Sequence, residues 1–263
     1  MKIRGERVLL TGATGGIGRV LAAALVGAGA DVILSGRDPG ALREVAEPLG
    51  ARWFAADLSD RQDVIALAEH CAGVGVLVAN AALPASGDLL EYTPEQVERA
   101  LSVNLGSTVL LTRLLAPAMV AAGRGHLALI GSMSGKAATP QSSLYTASKF
   151  GLRGFAHAAR TDLRPAGVGV SLIQPGFVAG AGMFARTGAP LPRGAQAVTP
   201  EQVAGAVLRA VERDLGEVNV APLKLRMTCA LSVQYPALAA WLQRRGAPDS
   251  SGRLIVEAQR ASR

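Results

Sequence analysis

The stretch that decides the fold is Thr11-Gly12-Ala13-Thr14-Gly15-Gly16-Ile17-Gly18. It follows the apolar run Arg7–Thr11, which predicts a β-strand, and it precedes the alanine-rich run Val20–Val26, which predicts a helix. Glycines at this place permit a tight turn and a close approach of a ligand to the backbone. The free N–H groups at the start of a helix attract phosphate. The stretch therefore predicts a dinucleotide-binding turn between a strand and a helix.

Short apolar runs alternate with longer segments of helical period along most of the chain. Seven runs are predicted as strands: Arg7–Thr11, Asp31–Ser35, Ala51–Ala55, Val74–Ala79, His126–Ser132, Val168–Ile173 and Glu217–Ala221. Several are apolar almost throughout, and a strand that is apolar on both faces is typical of a parallel sheet covered by helices. The predicted fold class is α/β, a doubly wound parallel sheet of about seven strands with helices on both faces, which is a Rossmann fold.

Composition and charge exclude several classes of protein. The chain has 263 residues, of which 49% are hydrophobic and 18% charged, and this excludes a disordered chain. The net charge is +7, but the basic residues are scattered and only 4% of residues are aromatic, so no nucleic-acid interface is expected. Cys71 and Cys229 cannot form a disulfide framework or a metal cluster, and we expect two core residues and no metal.

The chain carries no sequence signal for secretion or for a membrane span. No apolar segment of signal-peptide type precedes the first predicted strand. The longest uncharged stretch, Pro165–Ala185, is long enough to span a bilayer, but it contains five glycines, Pro165 and Pro175. It is interpreted as a strand followed by a loop. The expected location is cytoplasmic.

The start of two helices can be identified directly. Thr93-Pro94-Glu95-Gln96 and Thr199-Pro200-Glu201-Gln202 each place a threonine cap before proline and glutamine, as in a capping box. No linker divides the chain, and Phe177–Val198 is predicted to be a long loop of functional importance. We predict a single catalytic domain over residues 1–225, followed by a helical segment and basic tail over residues 226–263.

The end of the second strand bears on the choice of dinucleotide. Gly36 and Arg37 stand where a carboxylate would bind both ribose hydroxyls of NAD. The guanidinium of Arg37 suits the 2′-phosphate of NADP by charge and shape, although an ordinary solvated arginine is the alternative. NADP(H) is the preferred cofactor, and Asp38 leaves NAD(H) open.

Four polar residues are candidates for chemistry. Tyr145 and Lys149 are four positions apart and share a helix face. Ser132 ends a predicted strand, at the sheet edge where open α/β folds bind ligands. Asn104 interrupts an apolar helix, and a buried amide needs hydrogen-bond partners.

With these residues the chain resembles the short-chain dehydrogenase/reductase family over about residues 5–223. Asn104, Ser132, Tyr145 and Lys149 fall where the family carries its catalytic tetrad. The resemblance implies cofactor contacts from Gly12, Thr14, Gly15, Gly16, Ile17, Gly18, Arg37, Asp57, Leu58, Asn80, Tyr145, Lys149, Pro175, Gly176 and Val178. It also implies a homo-oligomer, and a water held by Asn104 that links Lys149 to solvent.

The sequence departs from the family at two places. The NNAG stretch of the family corresponds to Ala79-Asn80-Ala81-Ala82, which keeps one amide. The threonine that often follows the Pro-Gly turn is missing, and Gly180 stands near its place. The glycine spacing also fits the epimerase and dehydratase branch. Asn104 and the thirteen positions from Ser132 to Tyr145 favour the shorter oxidoreductase branch.

The predicted function is an NADP(H)-dependent oxidoreductase that interconverts an alcohol and a ketone or aldehyde. A free tyrosine has a pKa of about 10, and we expect the Lys149 ammonium to lower the pKa of Tyr145 so that it exchanges a proton with the substrate. The expected substrate is a small molecule, an apolar alcohol or carbonyl compound. Phe177, Val178, Met183 and Phe184 are candidates for a pocket wall, with core or lid packing as the alternative. The alternatives are a cofactor-binding regulator or scaffold without turnover, and an epimerase or dehydratase.

The C-terminal segment has an apolar pattern of its own. Apolar residues recur from Leu225 to Leu242, and Pro236 interrupts the helical period. This apolar surface needs cover from the substrate pocket, from a second subunit or from a membrane. Pocket and subunit rank first and peripheral membrane contact last, although Arg244 and Arg245 would favour anionic lipid.

Overall fold

Seven parallel strands form the sheet of this protein, in the order β3-β2-β1-β4-β5-β6-β7. The computed structural model describes residues 1–191, 195–245 and 250–260. The strands are β1 (Arg7–Thr11), β2 (Asp31–Gly36), β3 (Arg52–Ala55), β4 (Val76–Ala79), β5 (Gly125–Ile130), β6 (Val168–Pro175) and β7 (Glu217–Val220). The strand order reverses between β1 and β4, so the predicted doubly wound fold is confirmed.

Helices cover both faces of the sheet. They are α1 (Gly16–Gly27), α2 (Pro39–Ala46), α3 (Arg61–His70), α4 (Pro94–Leu101), α5 (Ser107–Ala121), α6 (Ser143–Leu163), α7 (Gly182–Ala185), α8 (Pro200–Arg213), α9 (Leu223–Gln234), α10 (Pro236–Arg245) and α11 (Ser250–Arg260). Apolar residues of α1, α2 and α8 pack in one core cluster. Those of α3, α5 and α6 pack in the other.

Strand β1 shows why the apolar runs form this sheet. Val8 and Leu10 point to the α1 and α8 side, whereas Leu9 points to the α3 and α5 side, and all three are fully buried. Full burial of an aliphatic side chain contributes roughly 1.5–3 kcal/mol. A polar residue at any of these positions would lose that contribution, which explains the absence of apolar–polar alternation.

The helix starts follow the sequence signals. Thr93 and Gln96 exchange hydrogen bonds at the start of α4, and Thr199 and Gln202 do so at α8, so both predicted capping boxes are confirmed. A π-helical turn, Ser102–Gly106, joins α4 to α5. The resulting helix, Pro94–Ala121, is long and apolar enough to cross a membrane, but half of its most apolar window is buried inside the protein, as in a core helix.

Two strand boundaries differ from the prediction in ways that affect the site. Strand β5 ends at Ile130, so Ser132 lies beyond the sheet and caps the 3-10 turn Met133–Gly135 instead. Strand β6 continues to Pro175 because β7 pairs with it as far as Pro175 and Val220. The remaining strand ends agree with the predicted ones to within two residues, and β1 agrees at both ends.

The C-terminal segment is helical, and Pro236 divides it as predicted. Helix α9 ends at Gln234, and α10 begins at Pro236. Proline suits the first helical position, because the N–H that it lacks would have no hydrogen-bond partner within the helix. The predicted domain boundary after residue 225 falls within α9, and the division into two regions stays a prediction. Residues 246–249 and 261–263 of the predicted basic tail lie outside the described residues.

Candidate active site

The turn between β1 and α1 has the conformation that its glycines allow. Gly12 has a φ of +65°, and a Cβ atom there would lie 2.7 Å from the Cα of Ala81. A Cβ on Gly18 would collide with the carbonyl oxygen of Gly12. Gly15 precedes α1 without a side-chain cap, and the first turn of α1 has no acidic residue. The start of α1 is therefore suited to bind an anion such as a pyrophosphate.

Asn80 fixes this turn to the neighbouring strand. Its Nδ2 donates to the carbonyl oxygens of Thr11 and Gly12, both at 3.1 Å. The hydroxyl oxygen of Thr11 accepts hydrogen bonds from the N–H groups of Asn80 and Ala81. The sequence predicts a cofactor contact for Asn80 and indicates no separate role for Thr11. The structure shows that both residues hold the turn, and the Asn80 oxygen is the part of that amide left for a ligand.

Arg37 lies beside the glycine turn at the end of β2. A Cβ on Gly36 would lie 3.3 Å from the Oγ1 of Thr14, so β2 ends against the turn. The Arg37 side chain is exposed. The Asp38 carboxylate accepts hydrogen bonds from the N–H groups of Gly40 and Ala41 and thereby caps α2. The positive charge of Arg37 is thus presented to solvent, while the Asp38 carboxylate is occupied by a helix start.

Asp57 and Leu58 follow β3 on the same edge of the sheet. The Asp57 carboxylate accepts hydrogen bonds from the N–H and hydroxyl of Ser59, at 2.9 and 2.7 Å. Burial raises the pKa of Asp57, but the Ser59 hydrogen bonds and the charges of Arg37 and Arg99 outweigh it, so that the pKa lies below its ordinary value. The Leu58 side chain packs in the core, which leaves its backbone for a ligand.

Ser132, Tyr145 and Lys149 come together beyond the end of β5. The Ser132 hydroxyl lies close enough to the Tyr145 hydroxyl to lower the pKa of the tyrosine. The Ser132 oxygen also accepts from the N–H of Ser134, at 3.1 Å, which fixes the serine side chain. The Lys149 ammonium is buried, donates to the carbonyl oxygen of Ile130 at 3.0 Å and lies 5.7 Å from the centre of the Tyr145 ring. This arrangement places an alcohol, a phenol and an ammonium group side by side.

The pKa of Tyr145 is shifted in the direction opposite to the expected one. Burial raises it above its ordinary value, and the neighbouring Ser132 hydroxyl offsets this only in part. Burial also lowers the pKa of Lys149 to about 8. The expected net lowering of the Tyr145 pKa is therefore wrong for this structure, because burial of the phenol outweighs the contribution that lowers its pKa. Tyr145 is a phenol at neutral pH and can donate a proton.

Asn104 is buried in the π-helical turn between α4 and α5. Its Oδ1 accepts from the N–H of Leu83 at 2.6 Å, and its Nδ2 donates to the carbonyl oxygen of Leu83 at 3.0 Å. The partners that a buried amide needs are thus supplied by one residue of the loop after β4. The water-holding role implied by the resemblance stays a prediction.

The segment after β6 crosses the start of α1. The N–H of Gly176, next to Pro175, donates to the Val220 carbonyl at 3.0 Å, and buried Val178 forms a bridge with Val198. A Cβ on Gly16 would lie 2.6 Å from the backbone nitrogen of Gly182. The predicted long loop, which contains α7, therefore covers the glycine turn.

Apolar and C-terminal side chains enclose the same region. Phe177 and Phe184 form an edge-to-face pair with ring centres 5.0 Å apart, and a Cβ on Gly182 would lie 3.2 Å from Ile17. The Gln259 side chain on α11 accepts a hydrogen bond from the N–H of Ser86 at 3.2 Å. A small cavity of about 30 Å³ separates α11 from α7, lined by Pro84, Met183, Arg186, Thr187, Ala258 and Gln259. Helix α11 thus covers part of the protein's own site.

A charged cluster supports the turn that carries Ser132. Glu217, at the start of β7, pairs with Lys136, with Arg153 at 3.0 Å and with His157 at 2.9 Å. Burial raises the pKa of Glu217, but hydrogen bonds from Lys136 and Arg153 lower it below its ordinary value. Because Lys136 follows the Met133–Gly135 turn, the cluster connects that turn to α6 and β7. No local signal in the sequence indicated this role.

The candidate site has no set of residues for a metal ion within the described part of the chain. No group of three or more His, Cys, Asp or Glu there could hold one. Cys71 and Cys229 are buried free thiols, and burial raises the pKa of both. The expectation of two core cysteines is confirmed.

Comparison with known proteins identifies the family. A family model described as short chain dehydrogenase matches residues 6–190. The ketoacyl reductase HetN of Nostoc sp. is 32% identical over 227 residues, which cover 83% of this chain and 79% of that protein. The dehydrogenase/reductase SDR family member 7B of Xenopus laevis is 32% identical over 253 residues, which cover 88% of this chain and 78% of that protein.

A solved structure agrees with these relatives. A metagenomic short-chain oxidoreductase in complex with NADP has 34% sequence identity and a TM-score of 0.72, covering 84% of this chain and 99% of that chain. The chain belongs to the short-chain dehydrogenase/reductase family and is an oxidoreductase that acts on a CH–OH group or the corresponding carbonyl with NAD(P).

Proposed function

We propose that the protein is an NADP(H)-dependent reductase of apolar ketones or aldehydes, which it interconverts with the corresponding alcohols. The observation that carries this proposal is the grouping of the Ser132 hydroxyl with Tyr145, with buried Lys149 beside the tyrosine ring. This group lies at the carboxyl edge of the sheet, where the loop after β6 also reaches the glycine turn.

The chain's residues fit NADP(H) at two points. The uncapped start of α1 suits the pyrophosphate, and the exposed Arg37 guanidinium suits a 2′-phosphate. Asp38, the carboxylate that would favour NAD(H), caps α2. When bound, NADPH supplies the hydride that adds to the carbonyl carbon of the substrate.

The protein's own residues supply the proton and hold the carbonyl oxygen. The Ser132 hydroxyl, fixed by the N–H of Ser134, orients that oxygen by a hydrogen bond. Tyr145, kept protonated by its raised pKa, donates its proton to the same oxygen as the alcohol forms. The positive charge of Lys149 stabilises the resulting tyrosinate. In the direction of oxidation, the tyrosinate takes the proton back.

The proposed substrate class follows from the side chains of the loop that covers the glycine turn. Phe177 and Phe184 form an apolar wall, and Met183 lies on the same short helix as Phe184. A relative of 32% identity is named a ketoacyl reductase. A ketoacyl thioester with an apolar chain is therefore the first substrate to test, ahead of small polar ketones.

Steady-state turnover separates this function from a cofactor-binding regulator. We expect the wild-type protein to consume NADPH with at least one member of a carbonyl panel and to form the alcohol. Tyr145→Phe should lose that turnover and retain NADPH binding, whereas Tyr235→Phe, which removes a hydroxyl outside the site, should retain both. NADPH binding without turnover on the whole panel would favour a regulator.

A further inference from the structure

Helix α9 presents a continuous apolar stripe to solvent. Leu223, Met227, Leu231 and Tyr235 recur at every fourth position and are 67%, 58%, 60% and 56% exposed. Residues four apart share one face of a helix, so these side chains adjoin one another. Single exposed apolar residues are ordinary, but a contiguous row of large ones marks a contact surface. We call these four residues the α9 stripe.

The other side of α9 packs on the domain, so the α9 stripe is not a displaced part of the core. Cys229 is 3% exposed. A Cβ on Gly176 would lie 3.1 Å from the Cδ2 of Leu225. The two faces of α9 thus have different surroundings: one contacts the end of the sheet near the active site, and the other faces outwards to solvent.

The helix that carries the α9 stripe is positively charged. Helix α9 contains Lys224 and Arg226 and no aspartate or glutamate. Lys224 and Arg226 are exposed, and neither forms an ion pair within the described part of the chain. A surface with this charge attracts an anionic partner.

The hydroxyl-bearing and aromatic residues of α9 and α10 are compatible with contact to a lipid surface. The Thr228 hydroxyl donates to the carbonyl oxygen of Lys224, and the Ser232 hydroxyl donates to that of Thr228, both at 2.9 Å. These donors keep their hydrogen bonds when water is removed. Tyr235 and Trp241 are exposed aromatic residues of the kind enriched at membrane–water interfaces.

We propose that the α9 stripe and its basic neighbours bind the surface of an anionic lipid bilayer, with α9 lying in the plane of the interface. An exposed apolar face flanked by lysine, arginine and aromatic side chains is typical of such helices. A second copy of the chain fits less well, because a two-fold contact places the same patch against itself. Lys224 and Arg226 of both copies would then meet with no acidic residue of this segment between them. The proposal does not depend on the identity of the substrate.

Vesicle sedimentation with the full-length protein tests this proposal. We expect binding to vesicles of phosphatidylcholine with phosphatidylglycerol, weaker binding to pure phosphatidylcholine, and a loss of binding at high salt. Each basic residue near an anionic surface is worth about fivefold in partitioning, so Lys224→Glu with Arg226→Glu should lower the partition coefficient about 25-fold or more.

Two further variants address the apolar contact. Met227→Glu with Leu231→Glu should abolish binding to the anionic vesicles. Val120→Glu is the matched control, because Val120 is 39% exposed at the end of α5, next to the amino edge of the sheet, and this change should leave binding unaltered.

Three results would overturn the proposal. The first is wild-type protein that does not sediment with the anionic vesicles, or that binds both vesicle types equally. The second is unchanged binding of the Met227→Glu/Leu231→Glu variant. The third is a lower particle mass of that variant than of wild type, by light scattering without lipid, which would identify the α9 stripe as a subunit contact.

Discussion

Replacing Arg37 with alanine should remove most of the preference for NADPH over NADH. Arg37 directly follows β2, its guanidinium is exposed, and the neighbouring carboxylate of Asp38 is hydrogen-bonded at the start of α2. A hydrogen bond to a charged group contributes roughly 1.5–3 kcal/mol, which is about 10- to 150-fold in an affinity ratio. Because the side chain is solvent-exposed, screening favours the lower end, and we expect a loss of about tenfold.

The assay compares kcat/KM for NADPH and NADH in wild type, Arg37→Ala and Arg43→Ala. Arg43 is an exposed arginine on the adjacent helix α2 and serves as a control for a general loss of positive charge. The NADPH value should fall in Arg37→Ala alone, with the NADH value nearly unchanged, and the difference should shrink as salt is added. Equal use of both cofactors by wild type, or an equal loss in both variants, would refute the assignment of Arg37.

Three further predictions concern pH and the C-terminal helices. Carbonyl reduction should slow as the pH rises through about 8, because Lys149 then loses the charge that stabilises the tyrosinate, and a pH profile without this decline would contradict its role. Burial lowers the pKa of His126 to about 4, so as the pH falls this histidine is protonated in the unfolded chain before it is protonated in the folded protein. The free energy of unfolding, measured with urea, should therefore be up to about 3 kcal/mol lower at pH 4 than at pH 7. His126→Gln should reduce this dependence of stability on pH. Deletion of residues 246–263 removes α11 and the contact of Gln259 with Ser86. This deletion should raise KM for an apolar ketone, with little change in NADPH affinity. An unchanged KM would show that α11 is not part of the substrate site.

The fold could be predicted from the sequence because its signals are local. Strands that bury both faces, such as β1 with Val8, Leu9 and Leu10, have no polar alternation and belong inside a covered parallel sheet. The capping boxes at Thr93 and Thr199 identify two helix starts without reference to the rest of the molecule. The end of β5 could not be predicted, because Ser132 is extended like a strand residue but caps the next turn.

The candidate site was predictable in its residue types and not in its contacts. The sequence indicates Tyr145, Lys149 and Ser132, but the partner of Lys149 is the backbone carbonyl of Ile130, which any residue type could supply. The partner of Asn104 is likewise backbone, from Leu83. Such contacts depend on how segments that are distant in sequence pack against each other. The same packing buries Tyr145 and Lys149, and this burial raises the pKa of Tyr145 and lowers the pKa of Lys149.

The proposed homo-oligomer stays a prediction, and the exposed surface of α5 and α6 is where it would first be sought. Leu114 on α5 and Phe150 on α6 are each more than a third exposed. Light scattering after size exclusion measures the particle mass. A mass of one chain would contradict the expectation of an oligomer.

Transfer of deuterium from NADPH that carries deuterium at both hydrogens of nicotinamide C4 tests the central claim most directly. With a ketone that the wild-type protein reduces, mass spectrometry of the alcohol should show one deuterium on the former carbonyl carbon. In Tyr145→Phe the same product should form roughly 10²–10⁴ times more slowly, because the proton donor is absent, with labelled NADPH still bound. An alcohol without deuterium, or a variant that forms product at the wild-type rate, would contradict hydride transfer with Tyr145 as the acid.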